Sequence, residues 1–572
     1  MRSVYFDSVD RNLPLPEYPR PQLRRSSYIC LNGVWQCAFM PLGSGAPERY
    51  EHDILVPFSP ETELSGVKRA LTPDRELWYH RRFELPDGFV RGRVILHFGA
   101  VDQTADVFVN GTLVASHTGG YTPFKCDITQ HLSDCNELTV RVTDITDAGS
   151  HSRGKQKTKR GGIWYTPQSG IWQTVWLESV PETYVTRLRI LPSIDDGSIS
   201  VTVYANADAA VAVSACGSSA RGVSGEPITL KLDAFELWSP ENPKLYELSV
   251  ECGDDMVESY FGMRKFEVRE DKSGVKRLFL NGEPYFHTGV LDQGYYCDGL
   301  LTPPCDQAMI DDISLMKRMG FNTLRKHIKV EPLRWYYHCD RLGMLVWQDM
   351  VNGGSSYKPL TVTAPCFIDG HSVKDNNYAL FAREDAAGRA QYYRELRETV
   401  NALVNCVSIA MWVPFNEGWG QFDAATAVRF LLDMDSSRTI DHASGWHDQR
   451  IGDTKSLHVY FKPYEFKPDE LKRAVMLTEF GGYSLRIEGH SFGKKTFGYK
   501  GCATPEELLS ALRKLYENEI IPAKALGLCA AIYTQLSDVE DEVNGFITYD
   551  RAVVKLDPND VLTLNAQLAD RR

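Results

Sequence analysis

The carboxyl-terminal half of the chain, residues 269–572, alternates short apolar segments with helical patterns. A short apolar run bounded by polar and glycine residues is typical of a strand buried on both faces of a parallel sheet. Eight strands are predicted in this way, at residues 285–290, 323–325, 344–348, 407–415, 439–442, 456–460, 475–478 and 529–534. Eight strands that alternate with helices in a segment of this length predict a (β/α)8 TIM barrel.

Helical patterns fill most of the gaps between these strands. They are clearest at residues 306–319, 384–405, 424–434 and 505–520. In the last of them, Thr504 is the expected N-cap and Pro505 occupies the first helical position, where a missing amide hydrogen costs nothing.

A glutamate follows two of the predicted barrel strands. Glu417 follows the fourth strand in the sequence NEGWG, and Glu479 follows the seventh in TEFGG. The carboxyl ends of barrel strands meet at one face, where barrel enzymes hold their catalytic residues. Glycoside hydrolysis typically uses two carboxyl groups at one mouth. One donates a proton to the leaving oxygen, and the other attacks the anomeric carbon. Either motif alone would also fit an acidic residue in a surface loop, so the pairing carries the prediction.

The sequence pattern of the amino-terminal half is typical of an all-β protein. Turn signals such as Asn32-Gly33 and Asn110-Gly111 separate short β-rich runs through residue 182, which predicts a sandwich in which Trp35 and Trp176 belong to the core. Residues 183–268 form a second, smaller set of alternating runs. Their number and length predict an immunoglobulin-like sandwich without the disulfide.

The two glutamate motifs resemble the acid/base and nucleophile motifs of glycoside hydrolase family 2, the family of β-galactosidases, β-glucuronidases and β-mannosidases. The sequences VDQTADVFVNG (101–111) and SGIWQTVWL (169–177) resemble its jelly-roll, sugar-binding-type domain, and FGMRKFEV (261–268) resembles its link into the barrel. The resemblance covers nearly the whole chain. It implies a jelly-roll β-sandwich over 1–182, an immunoglobulin-like β-sandwich over 183–268 and a catalytic barrel over 269–572.

The resemblance also implies roles for four residues at the mouth of the barrel. Glu417 is expected to be the general acid/base and Glu479 the nucleophile. Asn416 is expected to contact the sugar 2-hydroxyl, and Tyr460 to form a hydrogen bond with the nucleophile.

The neighbours of the two glutamates give these roles a physical basis. Aromatic residues flank Glu417, and rings that wall a carboxyl group raise its pKa and keep it protonated. Glu479 must stay ionised and therefore needs donors. Arg325, at the end of the second strand, is the charged candidate, with a structural ion pair at the rim as its alternative role. The flanking aromatic residues are Trp412, Phe415 and Trp419.

Further candidates for substrate binding follow the other predicted strands. Asp292 and Asp349 follow strands one and three and are expected to accept hydrogen bonds from sugar hydroxyls. Trp446, after strand five, is expected to offer a flat face to the sugar, with rim packing as the alternative, and Trp419 is expected beside Glu417. Gln535 follows strand eight, close to the acidic run 538–542, which could bind hydroxyls or form a solvated loop.

Two departures from the family pattern affect the floor of the pocket. The family often has an Arg, two residues and then a His after strand two, whereas this chain reads Arg325-Lys326-His327, one residue shorter. The usual His-Glu after strand one is absent, and Asp292 is expected to replace it there.

The sequence also bears on the substrate. β-Glucuronidases of the family carry an Asn-x-Lys-Gly element after strand eight that binds the sugar carboxylate, and this chain has Glu542 and Asn544 in place of that Asn and Lys. A glutamate there would repel a uronate, so we expect a retaining exo-β-glycosidase for a neutral sugar, first of all a β-galactosidase. β-Mannosidase, β-glucosidase and arabinosidase activities are the alternatives. A non-catalytic carbohydrate-binding protein is the alternative from another class.

Composition excludes other kinds of partner. The net charge of −12 makes the chain a poor ligand for nucleic acid or an anionic membrane, and the most basic run, 155–160, is expected to be a solvated loop. No apolar run approaches the roughly 20 residues of a membrane helix. The amino terminus has no apolar secretory region, and the 13 cysteines are scattered, which together favour a cytoplasmic protein with reduced thiols. No metal-ligand or cofactor motif is found, and a homo-oligomer stays open.

Overall fold

The computed structural model describes residues 1–368 and 372–569. The first domain is a sandwich of a six-stranded antiparallel sheet, ordered β3-β2-β4-β10-β7-β8, and a four-stranded one, ordered β1-β12-β5-β9. Its strands are β1 (Tyr28–Cys30), β2 (Gly33–Pro41), β3 (His52–Val56), β4 (Arg75–Phe83), β5 (Arg93–Phe98), β6 (Val101–Asp102), β7 (Thr104–Val109), β8 (Thr112–Thr118), β9 (Phe124–Asp127), β10 (Asn136–Thr143), β11 (Gly170–Ile171) and β12 (Val175–Val180).

The sandwich forms because its strands alternate. Every second residue of β10 is buried, so that one face of the strand lies in the core. Trp35 and Trp176 are both buried, as predicted. Asn110 and Gly111 have the left-handed backbone that a tight hairpin between β7 and β8 requires.

The second domain packs a three-stranded sheet, β13-β14-β17, on a four-stranded sheet, β16-β15-β18-β19. Val201, Val213 and Val250 lie between them in a continuous apolar core. The strands are β13 (Val185–Ser193), β14 (Ser198–Ala205), β15 (Ala210–Ala215), β16 (Ser218–Val223), β17 (Pro227–Lys231), β18 (Tyr246–Cys252) and β19 (Asp255–Phe261). The boundaries at 182 and 268 stay predictions.

The third domain contains eight parallel strands in the hydrogen-bonded order β27-β26-β25-β24-β23-β32-β29-β28, the order of a (β/α)8 barrel. All eight predicted strands are present. The strands of this domain are β20 (Phe266–Glu270), β21 (Lys276–Leu280), β22 (Glu283–Pro284), β23 (His287–Asp292), β24 (Thr323–Lys326), β25 (Leu345–Asp349), β26 (Ile409–Val413), β27 (Thr439–Ile440), β28 (Thr454–Val459), β29 (Ala474–Gly481), β30 (Tyr483–Leu485), β31 (Lys500–Cys502) and β32 (Ala530–Thr534).

The predicted helices are present too. The Thr504 hydroxyl accepts a hydrogen bond from the Glu507 amide at 3.2 Å, so Thr504 is the N-cap that the sequence predicts. α2, α3, α7 and α8 are additional, and α2 escaped prediction because its buried face mixes aromatic residues with the polar His338 and Asp340. The helices are α1 (Asp306–Arg318), α2 (Leu333–Leu342), α3 (Pro359–Val362), α4 (Ala386–Leu403), α5 (Ala424–Met434), α6 (Pro505–Leu515), α7 (Ile521–Leu526) and α8 (Pro558–Asn565).

A buried ion cluster joins the first two domains. The guanidinium of Arg25 donates to Glu178 on β12 at 2.8 Å and to both carboxylate oxygens of Asp255 on β19 at 2.9 and 2.8 Å. The second domain meets the barrel at Asp340, which accepts from the Trp238 indole at 2.7 Å and from the Tyr260 hydroxyl at 2.8 Å.

Two further predictions concern the chain as a whole. Among the residues that the structure describes, no helix has the length and apolar character needed to cross a bilayer. The cytoplasmic location and a homo-oligomer stay predictions.

We predict that Arg25→Met destabilises the protein strongly, because it leaves the carboxylates of Glu178 and Asp255 buried without their shared cation. Losses of about 3–5 kcal/mol are typical when one partner of a buried ion pair is removed. Urea unfolding followed by tryptophan fluorescence measures the change. Arg24→Met is the matched control, since its pair with Glu258 is exposed and contributes little. Equal effects of the two substitutions would contradict the assignment.

Candidate active site

Glu417 and Glu479 lie together at the carboxyl-terminal mouth of the barrel. Glu417 follows β26, Glu479 belongs to the end of β29, and both are buried. One carboxylate oxygen of each lies within 4.8 Å of the other. His458 of β28 completes the group: its Nδ1 lies 2.7 Å from Oε1 of Glu417 and 3.4 Å from Oε2 of Glu479.

The NEGWG turn presents Glu417 by means of unusual backbone angles. Glu417 has φ +50°, and its amide donates to the carbonyl of Ser444 at 3.0 Å. Gly418 and Gly420 follow with φ +70° and +65°. A Cβ on Gly418 would lie 2.5 Å from the His447 ring, and one on Gly420 would overlap the Gly353 carbonyl. Both positions therefore require glycine.

Arg325 on β24 is fully buried and forms hydrogen bonds with several residues at the centre of the site. Its guanidinium binds both oxygens of Asp349, each at 3.0 Å, and donates to Oδ1 of Asn416 at 2.7 Å. It also donates to Oε1 of Glu479 at 3.1 Å. The predicted charged donor for Glu479 is therefore in place, and Arg325 forms structural ion pairs at the same time.

Tyr460 holds the other oxygen of Glu479. Its hydroxyl donates to Oε2 at 2.6 Å, and its ring stacks on Tyr499 at a centroid distance of 3.6 Å. The predicted contact between Tyr460 and Glu479 is thus present in the structure. Together with Arg325 it fixes the orientation of the Glu479 carboxylate.

Burial shifts the pKa values of the three central groups. It raises the pKa of Glu417 to about 7, and the charges of Lys155 and Arg325 oppose this rise while Glu542 adds to it. Burial also raises the pKa of Glu479, although His458 and Arg325 work against the rise. Burial lowers the pKa of His458 to about 4, so its imidazole is neutral near pH 7.

The hydrogen bonds fix the tautomer of His458. Nε2 lies 3.3 Å from Nη1 of Arg325, and because a guanidinium can only donate, Nε2 is the acceptor. The proton of the neutral ring is then on Nδ1, which donates to Glu417. His458 is not among the site residues predicted from the sequence. Its position in the sixth predicted strand, two residues before Tyr460, was the available signal.

The side-chain amide of Asn416 has a donor, Nδ2, that no described residue accepts from. Its Oδ1 accepts from Arg325, whereas its Nδ2 is buried and has no hydrogen-bond partner among the described residues. A buried amide nitrogen without a partner is costly, so a ligand oxygen is the natural acceptor for it.

The structure gives two predicted hydroxyl acceptors other partners. Both oxygens of Asp349 bind Arg325, and Oδ2 also binds Nδ1 of His327 at 2.8 Å. Asp292 accepts from Lys326 at 2.7 Å and from the Gly294 amide at 2.8 Å. These carboxylates therefore balance buried cations and support the floor of the site. His327, the remaining candidate from this part of the sequence, is buried and contacts Asp349, one position before the place that the family spacing would give it.

The aromatic residues near Glu417 in sequence separate in space. Phe415 stacks on Tyr392 at 5.3 Å, and the Trp412 indole donates to Asp435 at 3.0 Å, away from the mouth. Trp419 instead packs against Trp164 of the first domain at 5.2 Å. Trp446 is half-buried, with its ring 6.2 Å from that of His458.

The loop after β32 is buried, not solvated. Nε2 of Gln535 donates to Asn544 at 2.7 Å, and its Oε1 is buried with no partner among the described residues. Asn544 donates to Glu542 at 3.0 Å, and Glu542 also accepts from the Tyr165 hydroxyl of the first domain.

The first domain reaches the site through residues 149–168, which we call the mouth segment. The amides of Arg153 and Gly154 donate to the carbonyl of Asn352 at 2.9 and 3.0 Å. The mouth segment contains the basic run 155–160, for which the solvated-loop prediction is wrong in part. Lys155 is buried against the barrel, whereas Lys159 is exposed. The charge pattern hid this because it carries no information on which distant surface covers a loop.

One group of side chains could hold a metal ion. Within 1–368 and 372–569, Glu417, His458 and Glu479 are the single cluster of at least three His, Cys, Asp or Glu whose ligand atoms converge. All three already have hydrogen-bond partners that suit a pair of carboxyl groups with different protonation.

Three family profiles match consecutive parts of the chain. The description "Glycosyl hydrolases family 2, sugar binding domain" matches residues 65–181, "Glycosyl hydrolases family 2" matches 183–264, and "Glycosyl hydrolases family 2, TIM barrel domain" matches 304–479. The chain belongs to glycoside hydrolase family 2. The predicted three-part architecture of jelly-roll-type sandwich, immunoglobulin-like sandwich and TIM barrel is confirmed.

Two relatives with similar sequences carry the name β-galactosidase. The β-galactosidase large subunit of Leuconostoc lactis is 26% identical over 420 residues, which cover 67% of this chain and 61% of that protein. The β-galactosidase of Thermoanaerobacter pseudethanolicus is 25% identical, over 48% of this chain and 39% of its own. The chain thus matches less than two thirds of the length of these relatives.

Solved structures share the fold over the whole chain. A β-D-glucuronidase from Dictyoglomus thermophilum superposes with a TM-score of 0.74 at 16% identity, covering 97% of this chain and 99% of its own. A β-galacturonidase from Eisenbergiella tayi gives 0.73 at 19% identity, covering 97% and 100%. At these identities the likeness concerns the fold alone.

We predict that Glu417 is mostly protonated at about pH 6 and mostly ionised at about pH 8, since burial raises its pKa to about 7. Infrared difference spectra between the unchanged protein and Glu417→Gln isolate its carbonyl band from those of Glu61 and Glu395, whose pKa values are raised to about 8 and about 7. A band already lost at about pH 5 would contradict the prediction.

Proposed function

We propose that this protein is a retaining exo-β-glycosidase for terminal β-linked neutral sugars, with β-galactosides as the first candidates. The spacing of Glu417 and Glu479 carries the proposal. Oxygens of the two carboxyl groups lie within 4.8 Å of one another. Retaining enzymes hold their carboxyl groups about 5–5.5 Å apart, whereas inverting enzymes need about 6.5–9.5 Å to admit a water molecule.

In the first step, the Glu479 carboxylate attacks the anomeric carbon and forms a glycosyl ester. The bond from that carbon to the leaving oxygen breaks, and Glu417 gives its proton to this oxygen. Arg325 and Tyr460 hold the two oxygens of Glu479 at 3.1 and 2.6 Å, which favours the ionised form and aims it. The hydrogen bond from His458 orients Glu417.

In the second step, Glu417 acts as a base. It takes a proton from water, the water oxygen attacks the anomeric carbon, and the ester bond to Glu479 breaks. The negative charge of Glu479 is absent while the ester exists, so the pKa of Glu417 falls and a base becomes available. Two inversions at the anomeric carbon retain its configuration.

Asn416 is proposed to bind the sugar 2-hydroxyl. Its Nδ2 is buried and has no partner among the described residues, and its Oδ1 is fixed by Arg325 at 2.7 Å. A hydrogen bond at this hydroxyl strengthens as positive charge develops on the sugar ring.

Glu542 supports a neutral sugar. It is buried in the loop after β32, and its charge adds to the burial that raises the pKa of Glu417. A uronate carboxylate in the same pocket would meet this negative charge. The names of the relatives from Leuconostoc lactis and Thermoanaerobacter pseudethanolicus also favour β-galactosides. β-Mannosidase, β-glucosidase and arabinosidase activities stay as alternatives within the family. A non-catalytic carbohydrate-binding protein stays as the alternative from another class.

A panel of nitrophenyl glycosides tests the function. We expect the β-galactoside to be turned over fastest, the β-glucuronide poorly, and the first product seen by NMR to be the β-anomer. Failure with every sugar would favour the carbohydrate-binding alternative. An α-anomer as first product would contradict retention.

We predict that Glu479→Gln abolishes turnover, because a neutral amide cannot form the ester. A 2-fluoro-glycoside inactivator should label Glu479 in the unchanged protein, as read by mass spectrometry of peptides. Glu488→Gln, at an exposed position shortly after β30, is the control and should remain active. Labelling of a different carboxylate would overturn the assignment.

We predict that Glu417→Ala slows glycosylation far more for a disaccharide than for a nitrophenyl glycoside, since a nitrophenolate leaves without a proton. The glycosyl ester should then accumulate, because the base for its hydrolysis is missing. Azide, small and already anionic, should restore turnover and give a β-glycosyl azide. If azide has no effect and both substrates slow equally, Glu417 is a binding residue instead.

A further inference from the structure

Lys155 at the mouth of the barrel is a largely buried side chain whose ammonium has no counter-ion among the described residues. The residue is 6% exposed, and its ammonium forms no hydrogen bond and no ion pair with any residue in 1–368 or 372–569. Its nearest aromatic contacts are the rings of Tyr165 and Trp419, whose centroids lie 5.6 Å from Nζ. The first ring belongs to the mouth segment and the second to the NEGWG turn.

The mouth segment holds Lys155 firmly. The carbonyl of Lys155 accepts from the Tyr165 amide at 3.0 Å, and the two residues before it donate to the carbonyl of Asn352. Gly154 has φ +64°, and a Cβ there would lie 3.0 Å from the carbonyl of Ile328 in the barrel. The backbone that carries the lysine is therefore fitted to the barrel.

The ammonium lies beside the turn that carries Glu417, since Nζ is 5.6 Å from the ring of Trp419, two residues further along the chain. In agreement with this position, its charge opposes the burial that raises the pKa values of Glu417 and Asp349.

The side chain is enclosed, but its ammonium keeps contact with solvent at the mouth, so its three donors are open to acceptors on a ligand that enters there. No residue in the described parts of the chain accepts a hydrogen bond from it, and no carboxylate there lies within 4.0 Å. At the reacting end of the sugar, Asn416 already offers a donor to the 2-hydroxyl, and Glu479 meets the anomeric carbon. The acceptors that remain on a neutral sugar are the hydroxyls away from that end.

We propose that Lys155 is a substrate-binding residue, contributed by the first domain, that donates hydrogen bonds to glycone hydroxyls at C3, C4 or C6. The inference rests on the proposed function and adds to it. It makes the first domain part of the sugar pocket and Lys155 a determinant of which sugar is accepted.

The test compares Lys155→Met with Lys159→Met, an exposed lysine of the same segment. Both are assayed on the best nitrophenyl glycoside of the panel and on its 3-, 4- and 6-deoxy analogues. We expect Lys155→Met to lower kcat/KM on the parent sugar by about 10- to 100-fold, the loss typical of a charged hydrogen bond. On the analogue that lacks the bound hydroxyl, the unchanged protein and Lys155→Met should be nearly equal. Lys159→Met should behave as the unchanged protein throughout.

Three results would overturn the proposal. An equal loss on the parent and on all deoxy analogues, with the alkaline limb of the pH profile moved upward, would make Lys155 an electrostatic influence on Glu417 alone. A loss confined to a β-galacturonide would assign it to a carboxylate. An equal loss accompanied by a lowered unfolding midpoint would make it structural.

The proposed function and this inference can fail separately. Turnover by the unchanged protein, whatever the sugar, tests the glycosidase proposal by itself. The role of Lys155 is measured by the ratio of kcat/KM between the unchanged protein and Lys155→Met, compared across the parent sugar and its deoxy analogues. An active enzyme in which this ratio is the same for all the sugars would reject the role of Lys155 and leave the glycosidase proposal intact.

Discussion

The site depends on one buried charge, the guanidinium of Arg325. It is fully enclosed by the barrel, and six hydrogen bonds to Asp349, Asn416, Glu479, His458 and the Thr478 carbonyl satisfy its donors. A buried guanidinium persists only when such partners surround it. Its rigid fork then fixes the relative positions of residues on four different strands and their following turns. The spacing of the two glutamates is a consequence of this arrangement.

The same enclosure separates the properties of two chemically identical groups. Burial raises the pKa of both, to about 7 for Glu417, whereas the guanidinium of Arg325, the hydroxyl of Tyr460 and the imidazole of His458 oppose the rise at Glu479. The neutral His458 contacts both and carries its proton on the nitrogen facing Glu417. The proposed roles of the two glutamates therefore rest on the groups around them and not on the residues themselves.

Much of the architecture is readable from local patterns. All eight barrel strands and the four clearest helices are predicted from apolar runs and helical periodicity. A parallel strand that is buried on both faces has a short, continuous apolar sequence, which distinguishes it from an amphipathic helix or a half-exposed strand. The glutamates stand out because glycines follow them, and the backbone of the first turn requires those glycines. Tyr460 and Arg325 contact Glu479 as predicted, since strand ends in a barrel converge by geometry.

The sequence by itself determined the strand and helix order, the place of the two glutamates at one mouth and the family. Only the tertiary structure decided how the remaining side chains are used. Asp292 and Asp349 pair with buried cations, Phe415 stacks on Tyr392 of α4, and Lys155 of the basic run is buried beside the ring of Trp419. The periodicity of the sequence predicts whether a residue is buried. It does not predict which residue it contacts, because that partner lies far away in the chain and comes close only through folding.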